Sequence, residues 1–222
     1  MITVSFLRKR RSHPQAMSAA APLIAAFALA CGSPGTIKPI DSNAAVSGYV
    51  VTGGYHIAYN GIESVVGDVD SDINGSLVRG LIQFPLDSIP ARAVVTEAKL
   101  VMYQCKISGQ PFKKLGNVIV EEVTYNDPFD TSAFHSPRIG AALGVLSDNT
   151  TLEKKTLIIT PTIVAAIAAG RQFAQFRLRE SIFDGNADGV SDYVAFATQG
   201  FFHHLCRGLP PGKDPLLIVT YH

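Results

Sequence analysis

The sequence predicts a single all-β domain, a jelly-roll-like β-sandwich with one short helix. Three observations support this. From about residue 47 onward, apolar residues recur with period 2 or in short buried runs, which is typical of strands. About eight such segments follow one another, separated by loops rich in Gly, Pro, Asn and Asp. A chain of 222 residues suits one sandwich of this kind, and it contains no internal repeat and no second core.

The clearest predicted strand is Thr96–Gln104. In this segment Ala98, Leu100 and Met102 alternate with more polar residues, so they are expected to share the face that meets the core. The one predicted helix covers 161–169, because a Pro opens it and a Gly follows its last residue. The other predicted strands are 48–58, 78–86, 117–125, 156–160, 173–179, 193–198 and 216–221.

The first thirty residues have the composition of an export signal. Four basic residues lie at positions 8–11, residues 17–30 form an apolar run, and no acid occurs before residue 31. The run is shorter than the roughly 20 residues that span a bilayer, and this arrangement is typical of a secretory signal. The sequence Ala28-Leu29-Ala30-Cys31 resembles the bacterial lipoprotein signal, in which a Cys is lipidated and becomes the new N-terminus. Ordinary cleavage nearby, with Cys31 uninvolved, is the alternative.

These features predict three segments: a signal peptide over 1–30, a tether over 31–46 and a sandwich domain over 47–222. The tether is inferred from its Gly, Ser, Pro and Asn content. The whole chain has a formal net charge of +1, but residues 1–30 hold four of the 19 basic residues and none of the 18 acidic ones. The remaining 15 basic and 18 acidic residues give −3, which argues against a nucleic-acid-binding protein. The mature protein is expected at the cell envelope, held by its lipid, or alternatively secreted.

The order and spacing of several segments resemble those of DNRLRE-type domains, also called disaggregatase-related domains. The segments are Arg79–Pro90 (RGLIQFPLDSIP), Ala98–Tyr103, Phe176–Arg179, Asp192–Phe196 (DYVAF) and Pro215–Tyr221 (PLLIVTY). The resemblance covers roughly residues 46–222, and segments 112–148 and 201–211 have no counterpart in it. Such domains are jelly-roll sandwiches of exported prokaryotic proteins, often appended to polysaccharide-degrading enzymes. Some relatives bind acidic polysaccharides such as alginate, so the resemblance implies a non-catalytic surface or binding module.

An acidic polysaccharide would be held by cationic and aromatic side chains. Arg177 and Arg179 share one face of their predicted strand, and guanidinium groups pair bidentately with carboxylates such as those of uronates. Tyrosine rings could stack on sugar rings, and the candidates are Tyr49 and Tyr55, with Tyr59 and Tyr125 as further possibilities. The chain has no Trp, which weakens this interpretation. An ordinary solvated strand face is the alternative.

Two acidic loops resemble the start of a calcium-binding loop, in which oxygen ligands alternate around one ion and a Gly permits the sharp turn. In the loop 184–192 the predicted ligands are Asp184, Asn186, Asp188, Val190 and Asp192. The Glu expected at position 12 is missing, so the site would be completed from elsewhere and the ion would be structural. A surface turn is the alternative. A second, weaker loop offers Asp70, Asp72 and Asn74, and a solvated hairpin loop is the favoured interpretation there.

The three cysteines are expected to have two different roles, one as a lipid anchor and two as a disulfide pair. With Cys31 assigned to a lipid, Cys105 and Cys206 remain, and an oxidising compartment favours a disulfide between them. Two buried free thiols are the alternative. The pairing would close a loop of about 100 residues, which stabilises by around 4 kcal/mol in the chain-entropy description of disulfides.

Common enzyme signatures are absent from the sequence. It has no Gly-x-Ser-x-Gly elbow, no His-Glu-x-x-His and no phosphate-binding loop. The adjacent Glu121 and Glu122 would face opposite sides of a strand, so they are not expected to act together on one bond. The expected function is a non-catalytic, exported, lipid-anchored module that binds an acidic extracellular polysaccharide. An envelope or protein-interaction module without a glycan ligand is the alternative, followed by a polysaccharide lyase or hydrolase.

Overall fold

The computed structural model describes residues 35–43, 47–52, 57–58, 63–69, 76–127, 129–182, 188–198, 205–206, 208–209 and 212–222. Its strands are β1 (Thr36–Asp41), β2 (Gly48–Val51), β3 (Ile57–Ala58), β4 (Ser64–Asp68), β5 (Leu77–Pro85), β6 (Val95–Ser108), β7 (Val118–Glu122), β8 (Gly144–Ser147), β9 (Lys154–Ile158), β10 (Phe173–Glu180), β11 (Asp192–Phe196) and β12 (Leu216–Tyr221). The helical elements are α1 (Pro111–Lys114), a 3₁₀ turn (Thr131–His135) and α2 (Thr160–Ala168). The predicted all-β class is therefore confirmed.

The strands form one continuous antiparallel sheet that folds into two layers, and β6 belongs to both. Its first part, Val95–Tyr103, pairs with β12 and β9, and β1 pairs with the other edge of β12. Its second part, Gln104–Ser108, pairs with β11. From β11 the sheet continues through β4, β5, β10 and β7 to β8, and the β2–β3 hairpin adds to β5. The predicted sandwich follows from this folding-over.

The core lies between the two layers. The predicted inward face of β6, made of Ala98, Leu100 and Met102, is fully buried there. Phe84 of β5 and Phe176 of β10 enter the same cluster from the opposite layer, with ring centroids 6.2 Å apart. Burial of these apolar side chains is the main stabilising contribution to such a fold.

The sandwich has two ends that matter for function. At one, which we call the α2 end, β1 and β6 begin, β12 finishes, and helix α2 buries Ile163 and Ala166 against the core. At the other, which we call the loop end, β4 and β10 finish and β11 begins. Helix α2 lies within one residue of its predicted bounds, and Gly170 follows it in the left-handed region at φ 65°, where glycine is favoured.

The predicted tether over 31–46 is wrong for residues 36–41. These residues form β1, which pairs with β12 from Thr36 opposite Tyr221 to Asp41 opposite Leu216. Ile40 is the one fully buried side chain of β1. An edge strand that is held by backbone hydrogen bonds and buries a single apolar side chain leaves almost no period-2 pattern, which explains the error.

Strands β4 and β8 were also not predicted. Every residue of β4 is buried, including Ser64 and Asp68, so its composition does not alternate. It contains Gly67 at φ 142°, where a Cβ would lie 2.3 Å from the carbonyl oxygen of Asp192 on β11. The close approach of β4 and β11 therefore requires glycine at this position. Strand β8 has four residues, and among the described strands it pairs with β7 alone.

Residues 1–30 and Cys31, on which the predicted export signal and lipid anchor depend, lie outside the described residues. In the part of the chain that the structure describes, no helix has the length and apolarity needed to cross a membrane.

Candidate functional site: an arginine cluster on the outer face of β10

Arg177 and Arg179 lie on the outer face of β10, as their alternation predicts. Phe176 and Leu178 point the other way and are fully buried in the core. Strand β10 is central in its layer, with β5 on one side and β7 on the other. The register with β7 sets Arg177 opposite Glu121.

The outer face of β10 is not an open strand face. The segment that follows β7 folds back across it and forms a second apolar cluster with β2 and β5. Its members are Val50, Leu77, Leu81, Val123, Tyr125, Phe129, Ala133 and Phe134. This corrects the solvated-face alternative, and it also buries Tyr125, which the sequence had offered as a stacking residue.

Glu121 is the centre of the cluster. Its Oε2 accepts hydrogen bonds from Nε of Arg177 (3.0 Å) and from Nη2 of the same guanidinium (2.5 Å). Its Oε1 accepts from Nε of Arg179 (2.9 Å). Burial alone would raise the pKa of Glu121, but the hydrogen bonds from the two arginines outweigh it and lower the pKa below 4.5. The carboxylate is therefore ionised at neutral pH.

Arg177 is a structural residue in this arrangement. Besides Glu121, its Nη1 donates to the backbone carbonyl oxygens of Phe134 (3.0 Å) and Ser136 (2.7 Å). The side chain is buried, and it ties the covering segment to the sheet. Its donors are bonded to protein acceptors away from solvent, which does not favour a ligand contact, and the role predicted for Arg177 stays a prediction.

Arg79 of β5 adds a third guanidinium. It lies 4.0 Å from the centre of the Phe134 ring, in cation–π geometry, and it donates to the Phe134 carbonyl oxygen. Burial, reinforced by the positive charges of Arg177 and Arg179, lowers the pKa of Arg79 to about 10. The neighbouring arginines thus repel one another, and the local charge is positive.

Arg138 and Arg179 form the accessible part of the cluster. Arg138 has 52% of its side chain exposed, and its Nη1 lies 3.9 Å from Oε1 of Glu121. Arg179 is 22% exposed and uses Nε for Glu121 and Nη1 for the backbone oxygen of Glu180 (2.6 Å). Its Nη2 has no hydrogen-bond partner among the described residues. Both guanidinium groups therefore approach the same carboxylate oxygen and keep donors for an incoming anion.

Tyr49, one of the two predicted stacking residues, does not join this cluster. Tyr49 is partly buried beside Val51, Val65 and Val78, in a different apolar cluster. Tyr55 lies outside the described residues. Among the described residues, the structure therefore brings arginines together without Tyr49.

Cys105 and Cys206 lie at disulfide distance, with Cα atoms 5.4 Å apart, as the sequence predicted. The pair fastens the segment before β12 to β6. Glu63 supports the same segment, because its Oε1 accepts the backbone N–H groups of Leu205 (2.7 Å) and Cys206 (3.1 Å).

The described part of the loop 184–192 holds a lysine between its carboxylates. Nζ of Lys114 lies 2.7 Å from Oδ2 of Asp192 and 2.9 Å from Oδ2 of Asp188, and these hydrogen bonds raise the pKa of Lys114 above its usual value. Oδ1 of Asp192 accepts from the N–H of Gln110, and Oδ1 of Asp188 accepts from the N–H of Val190 (2.9 Å). All four carboxylate oxygens thus have protein donors. The two carboxylates accept hydrogen bonds from the ammonium group of Lys114, and a calcium ion here would have to displace it.

The other predicted calcium ligands cannot be placed. Asp184 and Asn186, and the weaker loop's Asp70, Asp72 and Asn74, lie outside the described residues. Within the described ranges, no group of three or more His, Cys, Asp or Glu side chains is placed to hold a metal ion. The calcium site stays a prediction.

Three contributors to the sites were not identified from the sequence: Glu121 as the centre of the arginine cluster, Arg138 as its exposed member and Lys114 as the partner of the acidic loop. Strand pairing was the missing information. The alternation of Arg177 and Arg179 gives their face, but only the register with β7 shows that a carboxylate faces them. Lys114 reaches Asp192 across 78 positions of sequence.

Comparison with known proteins adds no identity: no family model matches the chain, and no curated protein matches it. The resemblance to DNRLRE-type domains therefore remains a prediction that rests on the quoted segments.

Proposed function

We propose that this protein is an exported, lipid-anchored, non-catalytic module of the cell envelope that binds an acidic polysaccharide through Arg138 and Arg179. The proposal keeps the class of ligand that the sequence suggested and moves the contact from Arg177 to Arg138.

The excess of positive charge around Glu121 is the observation that supports it. Arg79, Arg177, Arg179 and Arg138 surround one ionised carboxylate. The next carboxyl group, Glu180, has its pKa raised to about 7 by burial and so is only partly ionised at neutral pH. Asp68 also lies close enough to raise the pKa of Glu180. Four cations against the carboxylates of Glu121 and Asp68 and the partly ionised Glu180 still leave a positive excess, which attracts a further anion most where the arginines reach solvent.

A carboxylate on a sugar ring fits this geometry. Arg138 and Arg179 present planar guanidinium groups beside the same oxygen of Glu121, and guanidinium groups pair well with planar carboxylates. The exposed position of Arg138 keeps the contribution of each contact small. Binding is therefore expected to be weak for one sugar, stronger for a chain that repeats its carboxylates, and reduced by salt.

The test is binding to acidic polysaccharides, measured by affinity electrophoresis on polyuronate-containing gels and by a glycan array. Wild-type protein is compared with R138A/R179A and with R92A as a matched control, since Arg92 is also exposed but lies at the α2 end. Retardation by polyuronate that persists in R92A and is lost in R138A/R179A supports the proposal. Equal retardation of all three proteins contradicts the assigned site.

Absence of binding across a broad panel would remove the glycan from the proposal. The protein would then be better described as an envelope structural or protein-interaction module, for which cross-linking in envelope extracts would identify the neighbours. Release of products from any of the same glycans, abolished by one substitution, would instead support a lyase or hydrolase.

A further inference from the structure

The pairing of β1 with β12 shortens the connection between the proposed lipid and the sandwich. This step rests on the proposed function, since it takes Cys31 as the lipidated residue. Three residues separate Cys31 from Gly35, the first described residue. Four extended steps of about 3.5 Å cover at most about 14 Å. A lipid on Cys31 would therefore keep Gly35 close to the bilayer, which a tether reaching to residue 46 would not.

Gly35 lies at the α2 end of the sandwich. A Cβ at this position would be 3.1 Å from Cγ2 of Thr220 and 3.5 Å from the backbone oxygen of Tyr221, so the backbone is packed against β12. Tyr221 is in turn paired with Val95, the first residue of β6. Two strand spacings, about 10 Å, separate the start of β1 from the start of β6. The whole α2 end is thus brought to the membrane together with Gly35.

The surface of the α2 end is apolar. Val94, immediately before β6, is 59% exposed, and Val164 on α2 is 44% exposed. Between them lies a shallow hollow of about 270 Å³, whose lining includes Val95 and Ile167. Exposed apolar side chains beside an open hollow are the kind of surface that enters the interfacial region of a bilayer.

Charge at this end does not oppose such contact. Among the described residues, the exposed charged side chains near the hollow include Arg92 on its rim and Asp87 in the preceding turn, which carry opposite charges. His222, which is also exposed, pairs through its backbone with Val94. Arg171, which follows α2, is paired with Glu122. An anionic lipid surface therefore meets no excess of negative charge here.

From the short connection and the apolar surface, we infer that the α2 end rests on a phospholipid bilayer, with Val94 and Val164 in contact with the lipid. The arginine cluster then faces outward. Strand β10 runs from the α2 end toward the loop end, so Arg179 lies six residues, or about 20 Å, beyond Phe173. This orientation holds Arg179 away from the lipid headgroups. Arg138 lies nearer to them, because its neighbour Ile139 bonds to Glu122, which pairs with Phe176 three residues, or about 10 Å, beyond Phe173.

The absence of Trp from the chain gives a direct test, because a single introduced Trp is then the sole indole reporter. V94W places it at the α2 end, and I182W places it at the loop end, where Ile182 is similarly exposed at 52%. Both variants are made in the full chain, purified after export, and reconstituted into phosphatidylethanolamine–phosphatidylglycerol vesicles with and without brominated lipid. Quenching by bromine is expected to be several-fold greater for V94W than for I182W.

Equal quenching of the two reporters, or stronger quenching of I182W, overturns the orientation. The intact mass of the exported protein separates this failure from failure of the anchor. A mass that includes the lipid, together with an unquenched V94W, refutes the orientation alone. A mass without lipid refutes the anchoring, and the orientation falls with it. Thermal unfolding of both variants checks that each folds like the wild type.

Discussion

Replacing Glu180 by Gln is expected to stabilise the protein at alkaline pH and to leave it unchanged in acid. Glu180 ends β10 with its side chain buried, and its Oε1 has no hydrogen-bond partner among the described residues. Burial raises its pKa from 4.5 to about 7, with opposing effects from Arg79 and Arg179 and a further increase from Asp68. The folded protein therefore keeps a proton that the unfolded chain releases.

The sign and size follow from that difference in pKa. Between pH 4.5 and 7 the folded state binds more protons than the unfolded state, so the contribution of Glu180 to stability falls as the pH rises through this window. Well above pH 7 Glu180 is ionised in both states and the loss of stability is complete. A difference of about 2.5 between the two pKa values corresponds to about 3 kcal/mol in the free energy of unfolding. A neutral Gln avoids this cost. For a domain of this size the expected gain in Tm at pH 8 is about 6 °C or more.

The assay is urea and thermal unfolding of wild type and E180Q at pH 5 and pH 8. E97Q serves as the matched control, since Glu97 is well exposed and paired with Lys99 at 2.6 Å. The difference between E180Q and wild type should be small at pH 5 and large and stabilising at pH 8, while E97Q should change little at either pH. An equal effect of E180Q at both pH values, or a loss of stability at pH 8, would refute the reasoning.

Three further results are expected. R177A should lower the free energy of unfolding, measured with urea, by about 3–5 kcal/mol, because it leaves the buried carboxylate of Glu121 without its main partner. R138A should lower it by less than about 1 kcal/mol. Similar losses in the two variants would contradict the division into structural and accessible arginines. Replacing Cys105 and Cys206 by Ser should lower the free energy of unfolding by about 2–5 kcal/mol, and a Tm that does not respond to reductant would argue against the bridge. If calcium fills the loop 184–192, EDTA should lower the Tm and added Ca²⁺ restore it, while an unchanged curve would count against a structural ion.

Local patterns predicted those elements whose structure is set locally. The strict alternation around Ala98, Leu100 and Met102 gave the inward face of β6. The punctuation of α2 by Pro161 and Gly170 gave its bounds to within one residue. In each case neighbouring residues carry the whole pattern, so no knowledge of distant partners was needed.

Features that depend on pairing could not be obtained in this way. Strand β1 is held by backbone bonds to β12 and buries Ile40 alone, so composition made it resemble a tether. The outward face of Arg177 was predicted, but the segment that covers it and the carboxylate of Glu121 that neutralises it come from another part of the chain. The aromatic residues of that segment, such as Phe134, show no strand or helix period. The local sequence therefore does not indicate that they pack over β10.

The place of β12 between β1 and β6 has a consequence for the order of folding. In the layer formed by β1, β12, β6 and β9, β1 and β6 have no strand between them until residues 216–221 form β12. Contacts between such distant parts of a chain form slowly, because the loop between them must be closed first. Strands β1 and β6 therefore stay unconnected within this layer until β12 has been synthesised, and the closure of this layer is expected to come late in folding.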